Sequence, residues 1–233
     1  AQNDLTLNQT ISVGTNATLD SAGHQISTSG IISGSGSLVK IGAGNLELTG
    51  SNTYSGDTFL RAGTLILNTG SNLGTGNLQL QGGTLALKSG FVSTKTLTQG
   101  TTSGTFVSDS IVTGQGSFSN TVINSGALIV NGTLTSPITI GKGGILRGNG
   151  KVIGNTVVAG ILEPGNSPGI LNIDGNLTQQ PTATLSVDID GSEAGTGASK
   201  HDQIIVSNTF TADGRLIAKL RGITGEATNT FTP

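Results

Sequence analysis

The chain has 233 residues, among them 38 glycines, with 10 % charged and 3 % aromatic residues, no Cys, Met or Trp, and a net charge of −2. It therefore lacks the aromatic anchors of a globular core and the basic tract of a nucleic-acid binder, and it can form no disulfide, thiolate metal site or cysteine nucleophile. A mean hydropathy of +0.07 is too high for simple disorder, so its Leu, Ile and Val must be buried by something other than a round core.

Residues 1–10, AQNDLTLNQT, show neither the basic nor the apolar region of a signal peptide. No run approaches the roughly 18 apolar residues that cross a bilayer as a helix. From Leu5-x-Leu7 onward the apolar residues alternate: Leu46-x-Leu48, Leu65-x-Leu67, Leu78-x-Leu80, Leu85-x-Leu87, Leu128-x-Val130 and Leu171-x-Ile173. Period two means strands with one buried face. Gly or Asn interrupts every helical window before ~12 residues, so no helix is expected.

Spacing supplies the architecture. The segments GNLEL, GTLIL and GTLAL begin at Gly44, Gly63 and Gly83, nineteen and then twenty residues apart, and Gly126, Gly144 and Gly160 continue the pattern. A fixed period in this range signals stacked repeats, each too small to bury its own apolar face. If about twenty residues make one coil, Leu65 lies directly beneath Leu85, one rung of roughly 4.8 Å away. Gly, Asn and Asp would then turn the corners. The expected fold is all-β, a parallel β-helix around a column of aliphatic side chains. From residue 178 the strands lengthen, at Ala183 to Asp190, Asp202 to Ser207 and Arg215 to Arg221, which divides the chain into a solenoid over 1–177 and a C-terminal cap over 178–233. Sandwich-like or hairpin pairing would close the rod there and cover its open sheet edge. The end, Phe231-Thr232-Pro233, reads as a boundary within a longer protein.

Three stretches carry a resemblance. GSGSLVKIGAGNLELTG at 34–50, followed by NTYSGDT at 52–58, resembles the passenger-associated repeat of bacterial autotransporters. GNG at 148–150, GILEPGNSPGIL at 160–171 and GNLTQ at 175–179 resemble a second segment of the same family, and HDQIIV at 201–206 resembles strands that precede its translocator. The resemblance implies a right-handed β-helical passenger, secreted through its own outer-membrane barrel to the Gram-negative cell surface or beyond. It also implies that the C-terminal part acts as an autochaperone.

Candidate chemistry is sparse. Gly165-Asn166-Ser167-Pro168-Gly169 fits G-x-S-x-G, but a nucleophile elbow needs a helix after the serine, and Ile170 to Ile173 reads as strand. His24 and His201 have no partner at ligand spacing. Asp188 and Asp190 share one face of a strand at a separation that inverting glycosidases also use. They read as a solvated face with Val187 and Ile189 inside, and calcium at the loop from Asp188 to Glu193 lacks the repeat that β-rolls require. Arg215, Lys219 and Arg221 form a basic stripe on one strand, and Lys142, Arg147 and Lys151 form a second basic cluster at the coil corners. These six residues are the candidate binding surface for anionic glycans.

The reading is a non-catalytic, monomeric passenger without a cofactor. It would bind a host-cell receptor or glycan, with glycosaminoglycan as one form, as an adhesin or a released ligand. The alternative is a polysaccharide lyase or hydrolase on the same scaffold.

Overall fold

A computed structural model describes residues 3–100, 109–166, 168–197 and 199–220. Ser167, Arg221 and the terminal Phe231 to Pro233 lie outside the described residues. Among the described residues there is no α-helix, only short strands and one 3-10 turn at Gly70–Asn72. Nearly all the strands join one sheet that winds around the molecule. Strand pairs are parallel except for isolated antiparallel contacts at Ile189↔His201 and Gly148↔Gly165. The fold is a parallel β-solenoid.

Each coil contributes to three faces. On the first face, strands such as Gln25–Thr28, Asn45–Leu48 and Thr64–Leu67 stack in register. Ile26, Leu46, Leu65 and Leu85 lie one above another, with Leu46, Leu65 and Leu85 wholly buried. The second face stacks Leu38–Ile41, Thr58–Leu60, Leu78–Leu80 and Thr96–Gln99. The third, from residue 133 on, stacks Thr133–Thr135, Lys151–Ile153, Ile170–Asp174 and Gln203–Val206. Alternation sends every second residue into a single apolar cluster that runs from Val13 to Ala183. That cluster needs little aromatic volume, because neighbouring rungs fill it with stacked Leu, Ile and Val.

Corners demand backbone that only glycine supplies easily. Gly63 has φ +70°, and a Cβ there would lie 2.3 Å from the carbonyl oxygens of both Gly42 and Gly44. The recurring glycine therefore marks the place where one coil's corner rests on the next.

The period is less uniform than the repeats suggest. Leu65↔Leu85 spans 20 residues, whereas Leu85↔Val112 spans 27 and Ile170↔Gln203 spans 33. The apolar ladders are also offset by two residues. Leu85 stacks on Val112 and then Val130, while Leu128, Leu146, Leu162, Leu185 and Leu216 form a second ladder that begins above Ser110. The C-terminal strands continue the same columns: Ile170–Asp174, Leu177–Gln179 and Thr184–Ile189 pair in parallel with Gln203–Val206, Phe210–Thr211 and Arg215–Leu220. Hairpin-like pairing is confined to the loop between Ile189 and His201.

Candidate functional site

On the first face, Leu146, Leu162 and Leu185 point inward, so Arg147, Glu163 and Ser186 point outward. Parallel register sets Ile129 beside Arg147 and Arg147 beside Glu163. One coil further on, Asp188 pairs with Lys219. Strand geometry alone thus brings side chains separated by up to 72 residues, from Arg147 to Lys219, onto one patch.

The charges there are interlocked. Arg147 bonds the carboxylate of Asp109 and reaches Glu163 at 3.9 Å, and Lys219 approaches the same Glu163 at 3.4 Å. Each pair is partly exposed and holds geometry more than it stabilises, at most about 1 kcal/mol.

A turn walls the patch on one side. Gly165 has φ +83°, and Gly148 and Gly165 exchange backbone hydrogen bonds of 2.9 and 3.0 Å. Asp202 locks the turn to the strand: one carboxylate oxygen accepts from the amide of Gly169 and the other from the amide of Asp188, each at 2.7 Å. Burial pushes the Asp202 carboxyl above its ordinary value. The two amide bonds oppose that shift, and the negative charges of Asp188 and Asp190 add to it.

Between the turn and the strand lies a groove of about 440 Å³. Arg147, Glu163 and Lys219 line its mouth, Ser186, Asp188 and Asp202 its inner wall, and Asn166 its rim. Two cations and three carboxylates make it amphoteric, able to match acidic and hydrogen-bonding groups of one ligand together.

The alternation places Asp188 on a solvated face, but in the structure it is only 5 % exposed. The strand does point it outward, but the loop after Ile189 folds back. The amide of Asp202 donates to the carbonyl of Asp188 and that of Asp190 to the carbonyl of Lys200, which roofs the position. Asp190 is half-buried.

The six basic candidates are distributed unevenly. Arg147 and Lys219 meet across Glu163. Lys151 sits on the third face and pairs with Asp174 at 2.9 Å, drawing that carboxyl below its ordinary value. Lys142 and Arg215 are exposed and form no ion pair among the described residues. Arg221 lies outside the described residues. The segment after Ser167 is the strand Ile170–Asp174, so the helix of a nucleophile elbow is missing from that position. His24 occupies a turn and His201 packs its Nδ1 3.2 Å from the carbonyl of Gly191. The sequence does not mark Glu163, Asp188 and Asp202 as one site; the fold brings them to one groove. Glu163 and Asp188 share outward parity on their strands, but Asp202 reaches the groove from outside any strand through its bonds to Gly169 and Asp188, which no local pattern signals.

The described residues form a β-solenoid whose interior is filled by apolar side chains, and the groove opens on an outer face. The passenger-associated-transport-repeat family matches residues 38–67. A segment of 66 residues, 28 % of this chain, is 42 % identical to the adhesin BmaC autotransporter of Brucella suis biovar 1 (strain 1330). That segment spans only 2 % of the relative's length. No solved structure matches the chain. The repeat and the relative support an autotransporter passenger domain, of the kind that Gram-negative bacteria secrete to their surface.

Proposed function

We propose that the chain is a non-catalytic, adhesin-like part of a passenger that binds host-cell surface molecules, a receptor or a glycan, through the groove at Glu163. The observation that carries this reading is the approach of Arg147 and Lys219 to one carboxylate at the mouth of a formed groove. Carboxylate or sulfate groups of a glycan would take the two cations, and hydroxyl or ammonium groups would take Glu163. The similarity to a protein named an adhesin supports the same direction. In this reading the chain acts as a monomer, its own outer-membrane barrel delivers it, and residues 178–233 template the coils before them.

Purified chain is added to host cells and to immobilised heparin. Saturable, salt-sensitive binding that falls at least tenfold in the Arg147→Ala/Lys219→Ala variant is the expected result. Equal binding by that variant, or shortening of chains in a polysaccharide panel, overturns the reading and favours a lyase or hydrolase.

A further inference from the structure

The second face carries a different feature on its outer side. There Phe59, Gln79, Thr98 and Val122 stand in register on four successive rungs. Two residues further along each strand come Arg61, Gln81, Gly100 and Asn124, with Gln81 and Gly100 donating their amides to the coils before them. In this second column Gly100 contributes no side chain. It must be glycine, because its φ is +82° and a Cβ would lie 2.3 Å from the Oγ of Ser125. A dent of about 370 Å³ opens there, lined by Phe59, Gln79, Gln81, Thr98, Val122 and Asn124. Two rungs separate Gln81 from Asn124, so their amides flank the dent at about 10 Å.

The amides are held in defined orientations. Gln81 accepts the Nε–H of Arg61 at 3.0 Å, which leaves its NH₂ as a donor toward the dent. Gln79 donates to Asp57 at 3.1 Å, which leaves its carbonyl oxygen as an acceptor. The Phe59 ring supplies an apolar wall, with the Arg61 guanidinium 5.9 Å from its centroid. Among the described residues no charged side chain lines the dent, and the two beside it are engaged, Arg61 by Gln81 and Phe59 and Asp57 by Gln79.

We infer that this dent is a second binding site, for a neutral pyranose of a glycan. Three ligand classes fit worse. A polyanion needs free cations, which the lining does not offer. An extended peptide needs open backbone donors and acceptors, and here the strands on either side already use them in inter-coil bonds. A wholly apolar partner would bury the amides of Gln79, Gln81 and Asn124 without hydrogen bonds. A neutral sugar has hydroxyls that both donate and accept and a C–H face for the Phe59 ring. It matches a concave site of few convergent polar groups. The site lies on a different face from the groove at Glu163 and does not depend on it.

The test probes the chain with arrayed neutral oligosaccharides ending in galactose, glucose, mannose or N-acetylglucosamine, at low and high salt, alongside sulfated and carboxylated glycans. The expected result is retention of at least one neutral glycan with little salt dependence, weakened about tenfold or more in Gln81→Ala and in Asn124→Ala, each roughly 1.4 kcal/mol. Both variants keep the inward-facing residues, and circular dichroism checks that they fold. The Arg147→Ala/Lys219→Ala variant should bind the neutral glycan as the parent does. Absence of neutral-glycan binding, equal binding by Gln81→Ala and Asn124→Ala, or retention of anionic glycans alone overturns the inference, the last while leaving the groove at Glu163 standing.

Discussion

The Nζ of Lys40 donates to the Oγ of Ser21 on the preceding coil at 2.8 Å, from a side chain with no exposed surface. Register places Lys40 between Leu19 and Leu60 in an otherwise largely aliphatic ladder. Its ammonium also bonds the carbonyls of Ile41 at 2.7 Å, Gly42 at 2.8 Å and Ala62 at 3.1 Å. One buried cation thereby gathers acceptors from three consecutive coils at a single corner.

Removing Lys40 should therefore cost more than its lost hydrocarbon. Lys40→Ala is expected to lower unfolding stability by about 3–5 kcal/mol, because a cavity and several unsatisfied carbonyls remain. Lys40→Met keeps the volume and sheds the charge, so it should cost less. Urea titration of both variants gives the comparison, and an unchanged midpoint in Lys40→Ala would refute the corner role.

The same residue predicts a pH effect of definite sign. Burial lowers the Lys40 pKa from 10.5, and the charge of Asp20 partly restores it. The unfolded chain then holds the proton at pH values where the folded chain has released it. Stability attributable to Lys40 must rise with pH from its folded pKa up to 10.5. Tyr54, whose pKa burial raises, opposes this above 10.0, so the informative quantity is the parent stability minus that of Lys40→Met. That difference should climb through the window; a flat or falling difference contradicts the shift.

Leu65 and Leu85 offer a direct test of the stacking. They are register partners on adjacent coils and both are fully buried. Each Leu→Ala change should cost about 2–5 kcal/mol. Because the two side chains share one layer of the core, the double variant should depart from the sum by roughly 0.5 kcal/mol or more. Additivity within error would mean that the two do not touch.

This pair also marks how far the sequence could be read. The returning Gly-Thr-Leu-x-Leu named its own stacking partner, since both glycines sit at equivalent corners and the strands between them alternate without interruption. The ladder from Leu128 to Leu162 was equally plain in its own pattern. What the repeats concealed was the two-residue offset between the two ladders, since Leu128 stacks on Ser110 and not on Val112, the partner of Leu85. Lys40 was hidden for a different reason. Nothing in LVKI distinguishes an outward lysine from an inward one until the acceptors of Ser21 and Ala62 arrive from neighbouring coils. Lys142, Arg147 and Lys151 are neighbours in sequence, yet the corner at Gly148 to Gly150 sends Arg147 and Lys151 to different faces. The groove depends on Gly169 meeting Asp202, 33 residues away, which no local pattern encodes.

Buried asparagines should prove as important as the leucines. Asn72 accepts the amides of Asn68 at 2.9 Å and Thr69 at 2.8 Å and donates to the carbonyl of Gly50 at 3.2 Å. Asn52 accepts the amide of Ile32 at 2.8 Å and donates to the carbonyl of Asn72. The two side chains close corners on which backbone ladder bonds are interrupted. Asn72→Ala should lose about 2–4 kcal/mol, the cost of several buried groups left without partners. A calorimetric melt within about a degree of the parent would show that water replaces the side chain at no cost.

Asp202 decides whether the groove is a built feature or an incidental fold of the surface. Its two oxygens each accept one backbone amide, from Gly169 and Asp188, so Asp202→Ala leaves two donors without partners and should cost about 1–3 kcal/mol while loosening the groove wall. Asp202→Asn retains one acceptor and removes the titration. The parent's folded pKa lies above 3.8, chiefly from burial, so the folded chain binds the proton more tightly than the unfolded one. The stabilisation this lends is fully present below 3.8 and is lost as pH rises through the folded value. The stability of the parent relative to Asp202→Asn should therefore grow as pH falls toward that range. Urea midpoints measured from neutral to acid pH give the trend, and glycan binding by Asp202→Ala gives the consequence. If the parent loses ground to Asp202→Asn on acidification, or if Asp202→Ala binds as the parent does, Asp202 does not hold the groove.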